Sequence, residues 1–185
     1  EGEWINGEIS GKGIFTYSDG RTYTPLPNDE DLIEISSGSG FFINDEGYFV
    51  TSNHVVEICE KINTKINGIT HLARRIGYDQ INDLALLKIE INGNSYIKLS
   101  ASAAQLGENI MVAGFPLREM LSGSVKVTTG NVNALSGPAN NVSKMQISAA
   151  VQPGNSGGPI INQYGELIGV IESMAKDQEI FDKTG

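Results

Sequence analysis

Cysteine, histidine and basic residues are all scarce in this 185-residue chain, and each scarcity removes a class of explanation. Cys59 is the only cysteine, so no intrachain disulfide can form and a disulfide-stapled scaffold is excluded, while the compartment stays open. Cys59 and two histidines, His54 and His71, are too few for a structural zinc site, and neither a metal mechanism nor a cofactor is expected. Only 13 Lys and Arg stand against 22 Asp and Glu, a formal net charge of −9. Nucleic acid is therefore excluded as the main partner, because phosphate binding needs clustered cations. No uncharged apolar run approaches the ~20 residues of a membrane-spanning helix, so no transmembrane segment is expected. The chain opens Glu1-Gly2-Glu3-Trp4, with neither an initiating Met nor a signal-peptide pattern, and reads as a piece of a longer or processed protein.

Glycine, by contrast, is plentiful, with 22 copies spread between strand-length runs of β-branched and aromatic residues. Such runs are Gly40-Phe41-Phe42-Ile43, Tyr48-Phe49-Val50-Thr51, residues 84–89, Ile110-Met111-Val112-Ala113, residues 125–129, Met145-Gln146-Ile147 and residues 167–171. Most are bounded by Gly, Asn, Asp or Pro, which punctuate strands. Sustained 3.6-residue periodicity is scarce, and a short helical turn over residues 55–61 is the best candidate. The pattern predicts an all-β sandwich or pair of barrels. The length suffices for one well-buried domain plus a small appendage.

The first 24 residues form that appendage. Asn6-Gly7 and Asp19-Gly20 flank a strand at Ile14-Phe15-Thr16-Tyr17, and Asn-Gly and Asp-Gly suit the positive φ of type I′ hairpin turns. The spacing of Gly, Trp and Tyr through this stretch resembles a MORN repeat, a short β-hairpin unit that stacks in arrays. One copy cannot bury its own face, so further copies are expected before Glu1 in the parent protein, with self-association or docking through the repeats. Thr24-Pro25-Leu26-Pro27-Asn28-Asp29-Glu30-Asp31 reads as a linker. The division expected is a hairpin repeat over 1–24, a linker over 25–34 and the main domain over 35–185.

Three segments of the main domain bear chemistry. Two strands about a turn at 44–47 deliver His54 at the end of an apolar run, where a lone His is more often a packing or surface residue. Asn82-Asp83 abuts the apolar run Leu84-Ala85-Leu86-Leu87, so Asp83 needs a hydrogen-bonded partner, although alone it reads as a strand-turn cap. Gln152-Pro153-Gly154-Asn155-Ser156-Gly157-Gly158-Pro159 is the strongest signal. Glycines on both sides of Ser156 permit backbone dihedrals closed to other residues and close approach to a carbonyl. Such a turn can aim the amides of Gly154 and Ser156 at one point. No Gly-Lys-Ser/Thr is present, so it is not a phosphate loop.

Together and in this order, the segments resemble the His, Asp and Ser motifs of trypsin-like serine peptidases of the Htr/Deg branch: Thr51-Ser52-Asn53-His54-Val55-Val56, Asp83-Leu84-Ala85-Leu86-Leu87 and Gly154-Asn155-Ser156-Gly157-Gly158-Pro159. Agreement continues through Ala113-Gly114-Phe115-Pro116, Thr128-Thr129-Gly130-Asn131-Val132 and Gly165-Glu166-Leu167-Ile168-Gly169, over about residues 35–175. The resemblance implies two six-stranded β-barrels of the chymotrypsin fold with a cleft between them. It implies Ser156 as nucleophile, His54 as general base and acid, Asp83 as the residue orienting His54, and the Gly154 and Ser156 amides as oxyanion hole. Asn155 cannot form the ion pair that activates digestive relatives after cleavage. The pocket implied is Ala149-Ala150-Val151 at its base and Ile171-Glu172-Ser173 at its side. It has no acid at the base, so it favours a small or medium aliphatic side chain over Arg or Lys. Glu172 either faces solvent or disfavours acidic substrates.

The family's further strand and C-terminal helix find no match in residues 174–185, and no PDZ module fits there. The function expected is hydrolysis of protein or peptide substrates through an acyl-enzyme. The alternative is a catalytically silent protease fold that uses its MORN-like repeats for protein or membrane docking, and an esterase is a third reading. The resemblance leans toward a periplasmic or secreted location.

Overall fold

Leu84 to Ile89 carries apolar side chains at all positions but Lys88, and alternate residues of this strand, Ala85, Leu87 and Ile89, are each only 1% exposed. That two-residue alternation builds the rest of the molecule in the computed structural model. The model describes residues 35–116 and 124–172, together with four short strands between residues 3 and 23. The chain divides into two compact units, Glu1–Ile35 and Ser36–Gly185.

In the first unit, β1 (Glu3–Ile5) pairs with β2 (Glu8–Ser10), and β3 (Phe15–Thr16) with β4 (Thr22–Tyr23). The register sets Ile5 opposite Glu8, and the expected Asn6-Gly7 and Asp19-Gly20 turns and the linker over 25–34 lie outside the described residues.

The second unit holds two antiparallel sheets. The first consists of β5 (Gly40–Phe42), β6 (Tyr48–Ser52), β7 (Ile62–Ile66), β8 (Ile69–Asp79) and β9 (Leu84–Ile89), in the order β5-β6-β9-β8-β7. It closes over Phe49, Val55, Val56, Ala73, Ala85, Leu87 and Ile89. The second consists of β10 (Asn109–Gly114), β11 (Lys126–Ala134), β12 (Gln146–Ile147), β13 (Pro159–Asn162) and β14 (Leu167–Val170), in the order β12-β11-β10-β13-β14. Its core is Ile110, Val112, Val132, Ala149, Ile160 and Ile171. The fold is all-β with two curled sheets, each its own core, as the chymotrypsin-like class requires. Five strands pair in each sheet among the described residues, where six were expected.

The helical turn is shorter and earlier than expected. The α-helix α1 spans Asn53–Val56. Val55 and Val56 are buried but Ile58 is 72% exposed, so no apolar stripe continues to carry the helix onward. Between β5 and β6, the Asn44 side chain accepts the amides of Glu46 and Tyr48 at 3.1 Å. Gly47 then turns at φ 86°, where a Cβ would lie 2.3 Å from the Ile89 carbonyl oxygen. This turn delivers β6, and with it His54, to the end of the sheet.

Candidate active site

β6 ends at Ser52, which is fully buried and donates its hydroxyl to the Ile171 carbonyl at 3.0 Å. The chain turns into α1 there, and His54 emerges with its side chain 45% exposed. Opposite it stands Asp83, in the turn from β8 to β9. Its carbonyl accepts the Asn53 amide at 3.0 Å. One carboxylate oxygen accepts the His54 amide at 2.8 Å, and the other lies 2.6 Å from His54 Nδ1. A carboxylate only accepts, so the proton of the neutral imidazole sits on Nδ1 and Nε2 is left as a base. The Asp83 side chain is 14% exposed, which strengthens the contact over a solvated pair.

The turn that holds Asp83 is built by Asp79. Its carboxylate accepts the Ile81 amide at 3.0 Å, the Asn82 amide at 3.1 Å and the Asn82 side-chain amide at 2.6 Å. The side-chain bond from Asn82, then its backbone bond, hold the Asp79 carboxyl below its ordinary value. Asp83 itself has φ 54°, a left-handed backbone that Asp tolerates better than most residues.

Ser156 is half-buried between buried Asn155 and Gly157. Gly154 and Gly157 take φ of 96° and 83°, so only glycine fits without strain. The turn is fixed at almost every carbonyl. Gly154 O accepts the Ser39 hydroxyl at 2.7 Å, Asn155 O the Gly158 amide at 2.8 Å, and Ser156 O the Ser39 amide at 2.8 Å. Among the described residues, the amides of Gly154 and Ser156 donate no hydrogen bond, and the Ser156 hydroxyl makes none either. Asn155 is 4% exposed, and its side-chain oxygen crowds Gly114, where a Cβ would come within 2.5 Å.

His54 and Asp83 are therefore in contact. Ser156 reaches their neighbourhood through Gly38, whose Cβ would lie 2.8 Å from a Val55 methyl and 2.9 Å from Ser156 O. Of the pocket residues, Ala149 and Ile171 are buried in the second core, and Val151 packs against it. Ala150 is exposed, and its carbonyl accepts the Thr128 hydroxyl at 2.8 Å. Glu172 is ion-paired with half-buried Lys144, so its charge is compensated. Ser173 lies outside the described residues. Despite the nearby Arg75, burial pushes the Cys59 thiol up, which disfavours the thiolate form. Among the described residues, no three His, Cys, Asp or Glu side chains gather to hold a metal ion. Ser39, Asp79 and Lys144 were given no role from sequence. Only Asp79, three residues before Asn82, left a local turn signal.

The profile of the MORN repeat matches residues 1–20. The uncharacterized protein y4bJ of Sinorhizobium fredii (strain NBRC 101917 / NGR234) is 44% identical over 153 residues, covering 82% of this chain and 24% of the relative. A probable periplasmic serine endoprotease, DegP-like, of Pseudomonas fulva (strain 12-X) is 37% identical over 155 residues, covering 81% of this chain and 30% of that protein. The chain thus spans about a quarter to a third of the length of these relatives. The crystal structure of the serine endoprotease from Yersinia pestis superposes with a TM-score of 0.65 at 31% identity, over 76% of this chain and 49% of that one. The profile of the trypsin-like peptidase domain matches residues 38–170, well over half of the sequence, and the chain belongs to that family.

Proposed function

We propose that this chain is a serine endopeptidase that hydrolyses protein or peptide substrates through His54, Asp83 and Ser156. The observation that carries the reading is the double grip of Asp83 on His54, one carboxylate oxygen at the backbone amide and the other at ring Nδ1. That grip leaves Nε2 as the base. A serine hydroxyl is a weak nucleophile, so Nε2 takes its proton as Ser156 Oγ attacks the scissile carbonyl. The amides of Gly154 and Ser156, uncommitted within the described residues, receive the developing oxyanion, each worth roughly 3–4 kcal/mol. His54 then returns its proton to the leaving amine, and water hydrolyses the acyl-enzyme by the same route. The unbonded Ser156 hydroxyl is compatible with this, because such contacts tighten when substrate binds.

In this reading, residues 1–24 are a MORN-like repeat that docks or self-associates, residues 25–34 a linker, and residues 35–185 the peptidase. Ala150, Val151, Ile171, Glu172 and Ser173 border the substrate. Pairing of Glu172 with Lys144 leaves the wall without a free negative charge. Relatives named as periplasmic support a periplasmic or secreted location.

Fluorophosphonate labelling, with casein cleavage assayed beside a nitrophenyl ester, tests the reading. Wild type is expected to label and to cleave both. Ser156→Ala is expected to lose labelling and about 10⁶ in kcat. A folded wild type that fails to label sinks the enzyme, and ester cleavage without casein cleavage makes it an esterase.

A further inference from the structure

Ser39 is 5% exposed and uses every polar atom it has. Its hydroxyl donates to Gly154 O at 2.7 Å and accepts the Phe115 amide at 2.9 Å. Its own amide donates to Ser156 O at 2.8 Å, and its carbonyl accepts the Thr51 hydroxyl at 2.7 Å. Backbone of the Gly154–Gly157 turn and of Gly114–Phe115 crowds around it with no room for side chains. A Cβ on Gly157 would lie 2.3 Å from Ser39 O, one on Gly114 would lie 2.9 Å from Ser39 Oγ, and one on Gly38 would lie 2.9 Å from Ser156 O.

Resting on the peptidase reading above, we propose that Ser39 is the positioning residue of the oxyanion hole. The amides of Gly154 and Ser156 must point at one oxygen, and the Gly154–Asn155 peptide lies between them. Gly154 is free to rotate, so that peptide needs an external restraint. Ser39 holds its oxygen, while Gln152 O accepts its Asn155 N–H at 3.0 Å. The Ser39 amide fixes the peptide on the far side of Ser156 as well. The restraint comes from just before β5, so the first sheet sets the geometry of a turn on the second. Because the donors must meet the transition-state oxygen to within about an ångström, loss of the restraint acts on kcat and not on substrate affinity.

The test compares wild type with Ser39→Ala and with Ser39→Cys, which keeps a donor in place but a bulkier and weaker one. Crystal structures give the orientation of the Gly154–Asn155 peptide, and kinetics on a peptide amide give kcat and KM separately. Inhibition by the matching peptide aldehyde, whose adduct puts an oxyanion in the hole, gives the transition-state readout. Ser39→Ala is expected to turn the peptide away, and to lose about 100-fold in both kcat and aldehyde affinity with KM within about twofold. Ser39→Cys should lie between. An unmoved peptide in either folded variant, or a lowered melting temperature with kcat and aldehyde affinity within about threefold, overturns the proposal. A wild type that neither labels nor cleaves defeats the peptidase reading alone, and the peptide orientation still decides the role of Ser39.

Discussion

Asp83 keeps a backbone conformation that costs an L-residue roughly 1–2 kcal/mol, and what it secures is the ring of His54. At φ 54° its carbonyl meets the Asn53 amide while both carboxylate oxygens face His54. Asparagine would retain the bond from the His54 amide but would place an N–H₂ donor against Nδ1. The ring would then shift its proton to Nε2, where it is useless as a base. Asp83→Asn is therefore expected to lower kcat by about 10⁴-fold, the size of effect a wrong tautomer produces, with KM changed little. Asparagine also tolerates left-handed φ, so the melting temperature should stay close to wild type. A full-activity Asp83→Asn protein in a steady-state peptide assay would remove Asp83 from the mechanism. The same residue looks ordinary in the sequence, where an Asp before an apolar strand, taken alone, reads as a strand-turn cap.

At the scale of the element, the β8–β9 turn converts a side-chain pattern into the geometry that sets Asp83 against His54. Asp79 gathers three donors from Ile81 and Asn82, and the chain leaves that turn directly into Asp83. The native turn prefers the carboxylate form, so the Asp79 pKa lies below its unfolded value of about 3.9. A depressed acid contributes stability that is fully present above the unfolded pKa and is lost as pH falls through the folded one. Asp79→Asn should thus melt below wild type near neutral pH, with the gap narrowing below about pH 4. Thermal melts at pH 7 and pH 3 check this, and a gap that is constant or widens with acid rules it out. Asp79→Ala, which removes every acceptor, should also lower kcat by releasing Asp83. Strands β6 and β9 were legible because apolar residues dominate each, Tyr48-Phe49-Val50 in one and all but Lys88 in the other. β7 and β8 were not, because Ile69, Leu72 and Tyr78 are each more than 60% exposed and interleave with Lys, Arg and His. The glycine-rich segment around Ser156 stood out by its local pattern, and the one around His54 only in company with it. Ser39 did not, since its partner Gly154 lies 115 residues away and no local pattern encodes such a contact.

At the scale of the whole molecule, the described residues of the second unit form two separate cores, and with a single cysteine no intrachain disulfide joins them, so the seam between the two sheets depends on polar ties and close backbone contact. Ser39 to Gly154 and Ser156, and Ser52 to Ile171, are such ties. Gly157 lies at their centre, donating its amide to Ile171 O at 2.7 Å. A Cβ there would come within 2.3 Å of both Ser39 O and Thr51 Oγ1, closer than any real contact, and its φ of 83° is strained for alanine. Gly68, in the β7–β8 turn, provides the control. Its φ is 84° but a Cβ would meet nothing within 4 Å, so alanine there carries the strain of about 1–2 kcal/mol and no more. Gly157→Ala adds overpacking against backbone that cannot move without parting the sheets, a further ~1–3 kcal/mol. Against a total stability of about 5–15 kcal/mol, that difference is large. Urea denaturation should therefore show Gly157→Ala unfolding at a clearly lower midpoint than Gly68→Ala, with activity lost in Gly157→Ala even where it remains folded. Equal midpoints for the two variants would mean that the seam yields at Gly157, and that the two sheets are not held in register by this contact.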